Sequence, residues 1–87
     1  MKPFALLIDY DVIEFIGGLR RKEQAAVWKR LRQIRDYPHN NSDYSEHDPL
    51  GRDIHISVSG KYALKYWIDG ADRQIKVLDI IPSDRRK

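Results

Sequence analysis

Side chains suited to phosphate chemistry are concentrated in the last third of the chain. His55 has an ordinary pKa near neutrality, so it can accept or donate a proton at physiological pH. Lys61 and Lys65 carry positive charges that can hold a phosphate, and Trp67 can stack on an unpaired nucleobase. Together, these residue types predict a site that binds or cleaves a single-stranded nucleic acid.

Each of these residues also has an interpretation without a function. His55 can be a histidine on the outer face of an amphipathic strand, and Lys65 can be a solvated strand residue. Trp67 can pack on a sheet or be covered by a bound partner protein. The basic end of the chain, Arg85 to Lys87, can be a frayed tail. The sequence leaves both interpretations open.

A metal site or another cofactor is not predicted. The histidines His39, His47 and His55 lie far apart, and their spacing matches no familiar zinc or calcium motif. The absence of cysteine excludes disulfides and cysteine-based zinc sites. We expect the acidic residues between positions 43 and 53 to cap turns instead.

Three predicted strands carry the candidate residues. The first contains Ile54, Ile56 and Val58, which alternate with polar residues at the period of a half-buried strand. The second and third cover residues 62–68 and 74–81, with turn signals at Ser59-Gly60 and Asp69-Gly70.

The second strand predicts which side chains face the core. Its larger apolar residues recur at every second position and form the better candidate for the helix-facing side: Tyr62, Leu64, Tyr66 and Ile68. Lys65 and Trp67 alternate with them, so we expect both on the open side of the sheet.

A strand and two helices are predicted before this meander. Phe4 to Ile8 is an apolar run of strand length, and apolar residues then recur at helical spacing between Val12 and Leu19. A second helix begins near Arg21 or Lys22 and ends before Pro38. We interpret residues 39–49 as a loop. The predicted fold class is therefore α+β in the order β-α-α-β-β-β, with a helical hairpin on one side of a mainly antiparallel four-stranded sheet.

Composition predicts one domain, residues 1–87, with a mild preference for polyanions. The chain has 16 Lys and Arg against 13 Asp and Glu, a net charge of +3, and its cations cluster between residues 20 and 35. A solvated helix face is the alternative. The apolar run from Phe4 to Ile8 is too short for a signal segment or a membrane span, so we expect a cytoplasmic protein.

Several of these features occur together in one known family. The helical hairpin ends in Tyr37-Pro38, and Leu50-Gly51 precedes the meander. A strand similar to the family's glycine-tyrosine-arginine strand follows, and the apolar last strand ends in basic residues: Gly60-Lys61-Tyr62-Ala63-Leu64-Lys65-Tyr66, then Arg85-Arg86. Over nearly its whole length, the chain resembles the RelE/ParE superfamily of bacterial toxins.

The resemblance implies a toxin that a cognate antitoxin neutralises. RelE-like members cleave mRNA, typically on the ribosome, whereas ParE-like members inhibit DNA gyrase and are not nucleases. We expect a ribosome-associated, metal-independent mRNA endoribonuclease. Gyrase inhibition is one alternative, and an inactive RNA-binding protein of the same fold is another, because a fold does not determine its function.

The resemblance also completes the expected site. Cleavage by the RNA 2′-hydroxyl requires proton transfer and stabilisation of charge on the phosphate. The family's late arginine corresponds to Arg85, or to Arg86 with a slip of one residue. We therefore expect a catalytic set of three residues, His55, Lys65 and Arg85. The expected substrate-binding residues are Arg52, Lys61, Trp67 and Arg86.

Two positions depart from the family pattern. RelE-like nucleases carry an arginine directly after the strand tyrosine, where this chain has Ala63. A neighbouring lysine can supply charge there but lacks the planar fork of arginine. The family's late catalytic tyrosine also has no counterpart, since Tyr62 and Tyr66 are not equivalent to it. Both departures keep the gyrase alternative open.

Overall fold

The chain forms one strand, then two helices, then four further strands. The structure is a computed structural model that describes residues 4–85, with the side chains of residues 4–84. The elements are, in chain order, β1 (Ala5–Ile8), α1 (Tyr10–Gly17), α2 (Arg21–Asp36), β2 (Tyr44–His47), β3 (Asp53–Ser59), β4 (Tyr62–Asp69), β5 (Gln74–Pro82) and a single 3-10 turn (Ser83–Arg85).

Local hydrogen bonds and a proline mark the bounds of the two helices. The Asp9 carboxylate accepts a hydrogen bond from the backbone N–H of Asp11 at 3.1 Å, which satisfies a free donor at the start of α1. The Gln24 side chain donates to the Leu19 carbonyl at 2.9 Å and so ties α2 to the short link before it. The helix α2 ends at Asp36, two residues before Pro38. Both helices lie where the sequence predicts them.

The five strands form one sheet in the order β1-β5-β4-β3-β2. Strand β1 pairs in parallel with β5, and the other three pairs are antiparallel. The predicted α+β class is confirmed, but the sheet has one strand more than expected. Residues Tyr44–His47, predicted as loop, pair with β3 from Ile56 to Asp53. This edge strand is polar and exposed, so it has no apolar period that reveals it.

Both helices pack on one side of the sheet, which we call the helix-covered face; the opposite side is the open face. The prediction for β4 is confirmed, since the side chains of Tyr62, Leu64, Tyr66 and Ile68 belong to the helix-side core. The buried members of this core are Val12, Ile16, Val27, Leu31, Ile34, Leu64, Tyr66, Ile75, Val77 and Ile80.

In β3, the polar residue His55 faces the helices, and the apolar residues Ile54 and Ile56 face the other side of the sheet. Directly paired residues in an antiparallel ladder point to the same face, and Tyr66 pairs with His55 while Lys65 pairs with Ile56. His55 therefore lies on the helix-covered face and Ile56 on the open face. Ile54 and Ile56 are nevertheless 5% and 0% exposed, so the open face has its own buried patch.

Candidate nucleic-acid interface on the open face

Trp67 lies at the centre of a charged cluster on the open face. The guanidinium carbon of Arg52 is 5.1 Å from the centroid of the indole ring, and Nζ of Lys76 is 4.8 Å from it. Both distances are in the range of cation–π attraction. The ring is only partly buried. Two cations therefore converge on a partly exposed aromatic ring.

Strand register brings Lys76 to the indole. In the β4–β5 ladder, Lys76 lies directly opposite Trp67. Its Nζ atom is also 3.5 Å from a carboxylate oxygen of Asp69, two residues further along β4. Lys76 is absent from the sequence-based candidates, although its alternation with Ile75 and Val77 places it on the open face. The missing information was the register, which one sequence does not supply.

A closed turn positions Arg52. The Asp48 carboxylate accepts hydrogen bonds from the backbone N–H groups of Leu50 and Arg52 at 3.0 and 2.9 Å, and from Nε of Arg52 at 2.6 Å. Gly51 has a φ of 81°, which glycine adopts without strain. Burial acts to raise the pKa of Asp48, but the hydrogen bonds and the charge of Arg52 outweigh it and lower this pKa below its ordinary value.

Lys65 is held by a carboxylate two strands away. Its Nζ atom lies 3.2 Å from Oε1 of Glu46 on β2. Lys65 pairs with Ile56, and Glu46 pairs with Ile54, so the ion pair crosses β3 over the two isoleucines. The ladders place Tyr44 and Lys65 on either side of Ile56, and Glu46 and Trp67 on either side of Ile54, so long side chains flank both isoleucines on a face without a helix.

Three of the predicted site residues meet on the open face, and one lies elsewhere on the sheet. Arg52, Lys65 and Trp67 form the assembled group. Lys61 lies in the β3–β4 turn, where its exposed Nζ is 3.5 Å from Glu23 on α2. It therefore contacts the helix side of the protein.

The backbone of Arg85 lies near the opposite end of β4 from Trp67. The backbone of Arg85 closes the 3-10 turn that follows Pro82, and Pro82 pairs with Tyr62. Tyr62 and Trp67 are five positions apart, which corresponds to about 17 Å along a strand. The side chain of Arg85 and all of Arg86 lie outside the described residues.

His55 belongs to a polar cluster on the helix-covered face. Its Nδ1 atom is 2.8 Å from Oγ of Ser42, and its ring stacks on Tyr66 with centroids 5.5 Å apart. The ring of His39 approaches it edge-on at 5.9 Å. Tyr66 in turn donates a hydrogen bond to the Pro38 carbonyl at 2.5 Å. The cluster joins the end of α2 to the sheet.

These surroundings favour the neutral form of His55. Burial lowers its pKa below the ordinary 6.5, and the neighbouring His39 lowers it further, while Asp53 acts in the opposite direction. The sheet separates His55 from Lys65. The expected catalytic set is therefore not assembled on one face among the described side chains.

No helix within residues 4–85 has the length and apolar character needed to span a membrane. In the same part of the chain, no group of three or more potential metal-ligating side chains comes together.

Comparison with known proteins identifies the fold. No protein-family model matches the sequence, and no curated protein matches it significantly. Among solved structures, a chain of the archaeal RelE–RelB complex from Pyrococcus horikoshii OT3 is similar, with a TM-score of 0.80, 17% identity, and coverage of 95% of this chain and 98% of that one. A chain of the toxin–antitoxin complex RelBE2 from Mycobacterium tuberculosis has a TM-score of 0.79 and 17% identity, with coverage of 93% and 99%. The protein therefore has a RelE-like fold.

Proposed function

We propose that this chain is the toxin of a toxin–antitoxin pair and that its open face binds single-stranded RNA. The proposed outcome is cleavage of mRNA on the ribosome, in the cytoplasm. The observation that carries the proposal is the convergence of Arg52 and Lys76 on Trp67, on the uncovered side of a RelE-like fold. Aromatic rings with neighbouring cations are the usual means of holding unpaired bases and their phosphates.

The proposed partner is an acidic antitoxin. One similar chain comes from a RelE–RelB complex and the other from a toxin–antitoxin complex. The helix α2 offers a basic surface to such a partner, because most of its cations are exposed while Glu23 and Asp36 are its acids. The exposed cations are Arg21, Lys22, Lys29 and Arg32. Opposite charge on the antitoxin would favour the encounter between the two proteins.

The proposed chemistry places Lys65 next to the reacting phosphate. In RNA cleavage, the 2′-hydroxyl would lose its proton to water as its oxygen attacks phosphorus, the bond from phosphorus to the 5′-oxygen would break, and water would return a proton to that oxygen, so a 2′,3′-cyclic phosphate and a 5′-hydroxyl form. Trp67 would stack on a base, and Arg52 and Lys76 would hold neighbouring phosphates. Lys65 would stabilise the charge that develops on the phosphate oxygens, with Arg85 as the second proposed cation.

Gyrase inhibition is the second candidate function, and two observations favour it. His55, the side chain best suited to proton transfer near neutrality, lies on the face opposite Lys65. Ala63, at the position of the RelE-like arginine, is fully buried. An inhibitor that acts by binding alone requires neither a base nor that arginine.

Expression in a bacterial host separates these functions. The chain would be induced without and with the gene beside it, and transcript 5′ ends would be mapped. We expect growth arrest that the neighbouring gene relieves, with new cuts in phase with codons. Arrest with intact transcripts would establish the gyrase alternative instead, and normal growth at confirmed expression would contradict a toxin.

Variants locate the activity on one face. Trp67→Leu and Lys65→Gln are expected to reduce cutting, whereas His55→Asn, a change on the opposite face, serves as the matched control. Loss of cutting in the His55 variant alone would contradict the proposed site on the open face.

A further inference from the structure

We propose that Glu46 is a functional residue of the RNA site, which neutralises Lys65 and competes with a phosphate for it. This inference rests on the proposed RNA-binding function of the open face. It adds a residue that none of the sequence motifs indicates, on a strand that the sequence does not predict. Its role is to set how strongly an anionic ligand binds at Lys65.

The Lys65–Glu46 pair is accessible to a ligand. The two side chains are 30% and 42% exposed, and their charged atoms are 3.2 Å apart. Exposed ion pairs contribute little net free energy, so an arriving phosphate can displace the carboxylate at small cost. Because Glu46 reaches Lys65 only through its flexible side chain, a change of rotamer is enough to exchange the partners.

The other cations of the cluster are held in different ways. Asp48 binds the Nε atom of Arg52 and is itself fixed by two backbone N–H groups, so this pair forms part of a turn. No hydrogen bond from the two terminal amino groups of Arg52 is found within residues 4–85, so both can serve a ligand while the turn stays closed. Lys76 is 3.5 Å from Asp69, a neighbour on its own hairpin. Glu46 differs because it crosses a whole strand to reach Lys65.

The Lys65–Glu46 ion pair lies next to the buried isoleucines of the open face. Lys65 and Glu46 cross β3 above Ile54 and Ile56, which are buried without any helix over them. A nucleobase stacked on Trp67, which pairs with Ile54, can cover the same apolar patch. RNA can therefore replace both functions of Glu46, the charge partner of Lys65 and part of the isoleucine cover.

The test measures RNA affinity after Glu46→Gln, which keeps the size of the side chain and removes its charge. The probe is a fluorescein-labelled, 2′-O-methylated single-stranded oligoribonucleotide, which cannot be cleaved through its 2′ position, and binding is followed by fluorescence anisotropy. We expect affinity to rise about two- to fivefold, the range of an exposed ion pair. The matched control is Glu14→Gln, since Glu14 is an exposed glutamate on α1. It changes net charge equally and is expected to change affinity less.

A double-mutant cycle assigns the effect to Lys65. In a Lys65→Gln background, Glu46→Gln is expected to give no more than the control effect, because the competition has been removed. The slope of log affinity against log salt should also become steeper by up to about 0.7 in the single variant, since the displaced Glu46 carboxylate of the unmodified protein takes up a cation that offsets one released from the RNA. A role of Glu46 that is only structural would not change this slope.

The outcomes separate this inference from the proposed function. Equal effects of Glu46→Gln and Glu14→Gln, in a protein that binds the RNA through Lys65, would overturn the role of Glu46 alone. If neither the unmodified protein nor the Glu46 variant binds RNA, the proposed RNA site fails as well. Thermal unfolding of each variant checks that the fold is retained, and a gain in affinity despite a lower Tm still supports the competition.

Discussion

The two faces of the sheet bury their side chains by different means. On the helix-covered face, apolar residues of α1 and α2 close over Leu64 and Tyr66. On the open face, Ile54 and Ile56 are nearly as buried, yet their strand neighbours include the charged side chains of Lys65 and Glu46, which pair with each other. Apolar cover is held by the hydrophobic effect and close packing, whereas an exposed ion pair contributes little net stability.

The polar contacts of the two faces differ in the same way. The Tyr66 hydroxyl is buried and donates to one fixed acceptor, the Pro38 carbonyl. Lys65 instead pairs with an exposed carboxylate at the surface, that of Glu46. A buried hydrogen bond has no solvent to replace it, while a surface pair exchanges readily with other ions. The comparison assigns stability to the helix-covered face and ligand exchange to the open face.

The largest expected effect is loss of stability after Leu31→Ala. Leu31 is fully buried between α2 and the sheet, so its truncation removes apolar contacts and leaves a cavity. We expect a decrease of about 2–5 kcal/mol in the free energy of unfolding, measured by urea denaturation. The control is Leu7→Ala on β1, where the side chain is 46% exposed and a change under about 1 kcal/mol is expected. Equal losses of unfolding free energy in the two variants would contradict the assignment of stability to the helix-covered face.

RNA binding is expected to depend on the open face. Trp67→Leu should weaken binding of a single-stranded RNA by about 1–3 kcal/mol, because a stacking surface is lost. Fluorescence anisotropy measures this change. His55→Asn, on the other face of the same sheet, is expected to leave affinity unchanged. The reverse result would place the RNA site on the helix-covered face.

Tyr66→Phe tests a fixed polar contact. The change leaves the Pro38 carbonyl without its donor while the ring still fills the core. We expect a loss of about 1–2 kcal/mol in the free energy of unfolding and no change in RNA affinity. The same urea titrations provide the measurement. Unchanged stability would indicate that the hydrogen bond from Tyr66 to the Pro38 carbonyl makes no net contribution to the free energy of unfolding.

A smaller effect is expected from pH. The pKa of His55 lies below the ordinary 6.5 because of burial and His39, so the unfolded chain binds more protons than the native protein as pH falls. The contribution of the neutral His55 to the free energy of unfolding is complete at pH values above its ordinary pKa. It decreases as the pH falls through 6.5 towards the lowered pKa. Thermal unfolding between about pH 8 and 5 should therefore show a falling Tm, and His55→Asn should reduce this dependence. A Tm that rises on acidification would contradict a neutral, half-buried His55.

Local periodicity predicted most of the elements. In α2, Val27, Leu31 and Ile34 recur at helical spacing, and each is buried. In β4, the alternation placed Lys65 and Trp67 on the open face, where the structure has them. Both predictions succeeded because the apolar period of each element matches a single buried face.

The same rule failed where both faces are buried or neither is. Strand β2 is exposed and polar, so its pairing with β3 leaves no trace in its own residues. Ile54 and Ile56 suggested the core side of β3, but the neighbouring His55 packs there on Tyr66. An apolar alternation identifies two faces and does not state which of them the helices cover.

The residues alone determined the helices, the meander and the chemical types available to the site, because capping, turn formation and periodicity depend on near neighbours in the chain. Pairing across strands decided which of those types meet: Lys76 with Trp67, Glu46 with Lys65, and His55 with Tyr66. Register and the choice of covered face depend on contacts between distant segments. The composition of the open face therefore emerges only when the sheet is assembled.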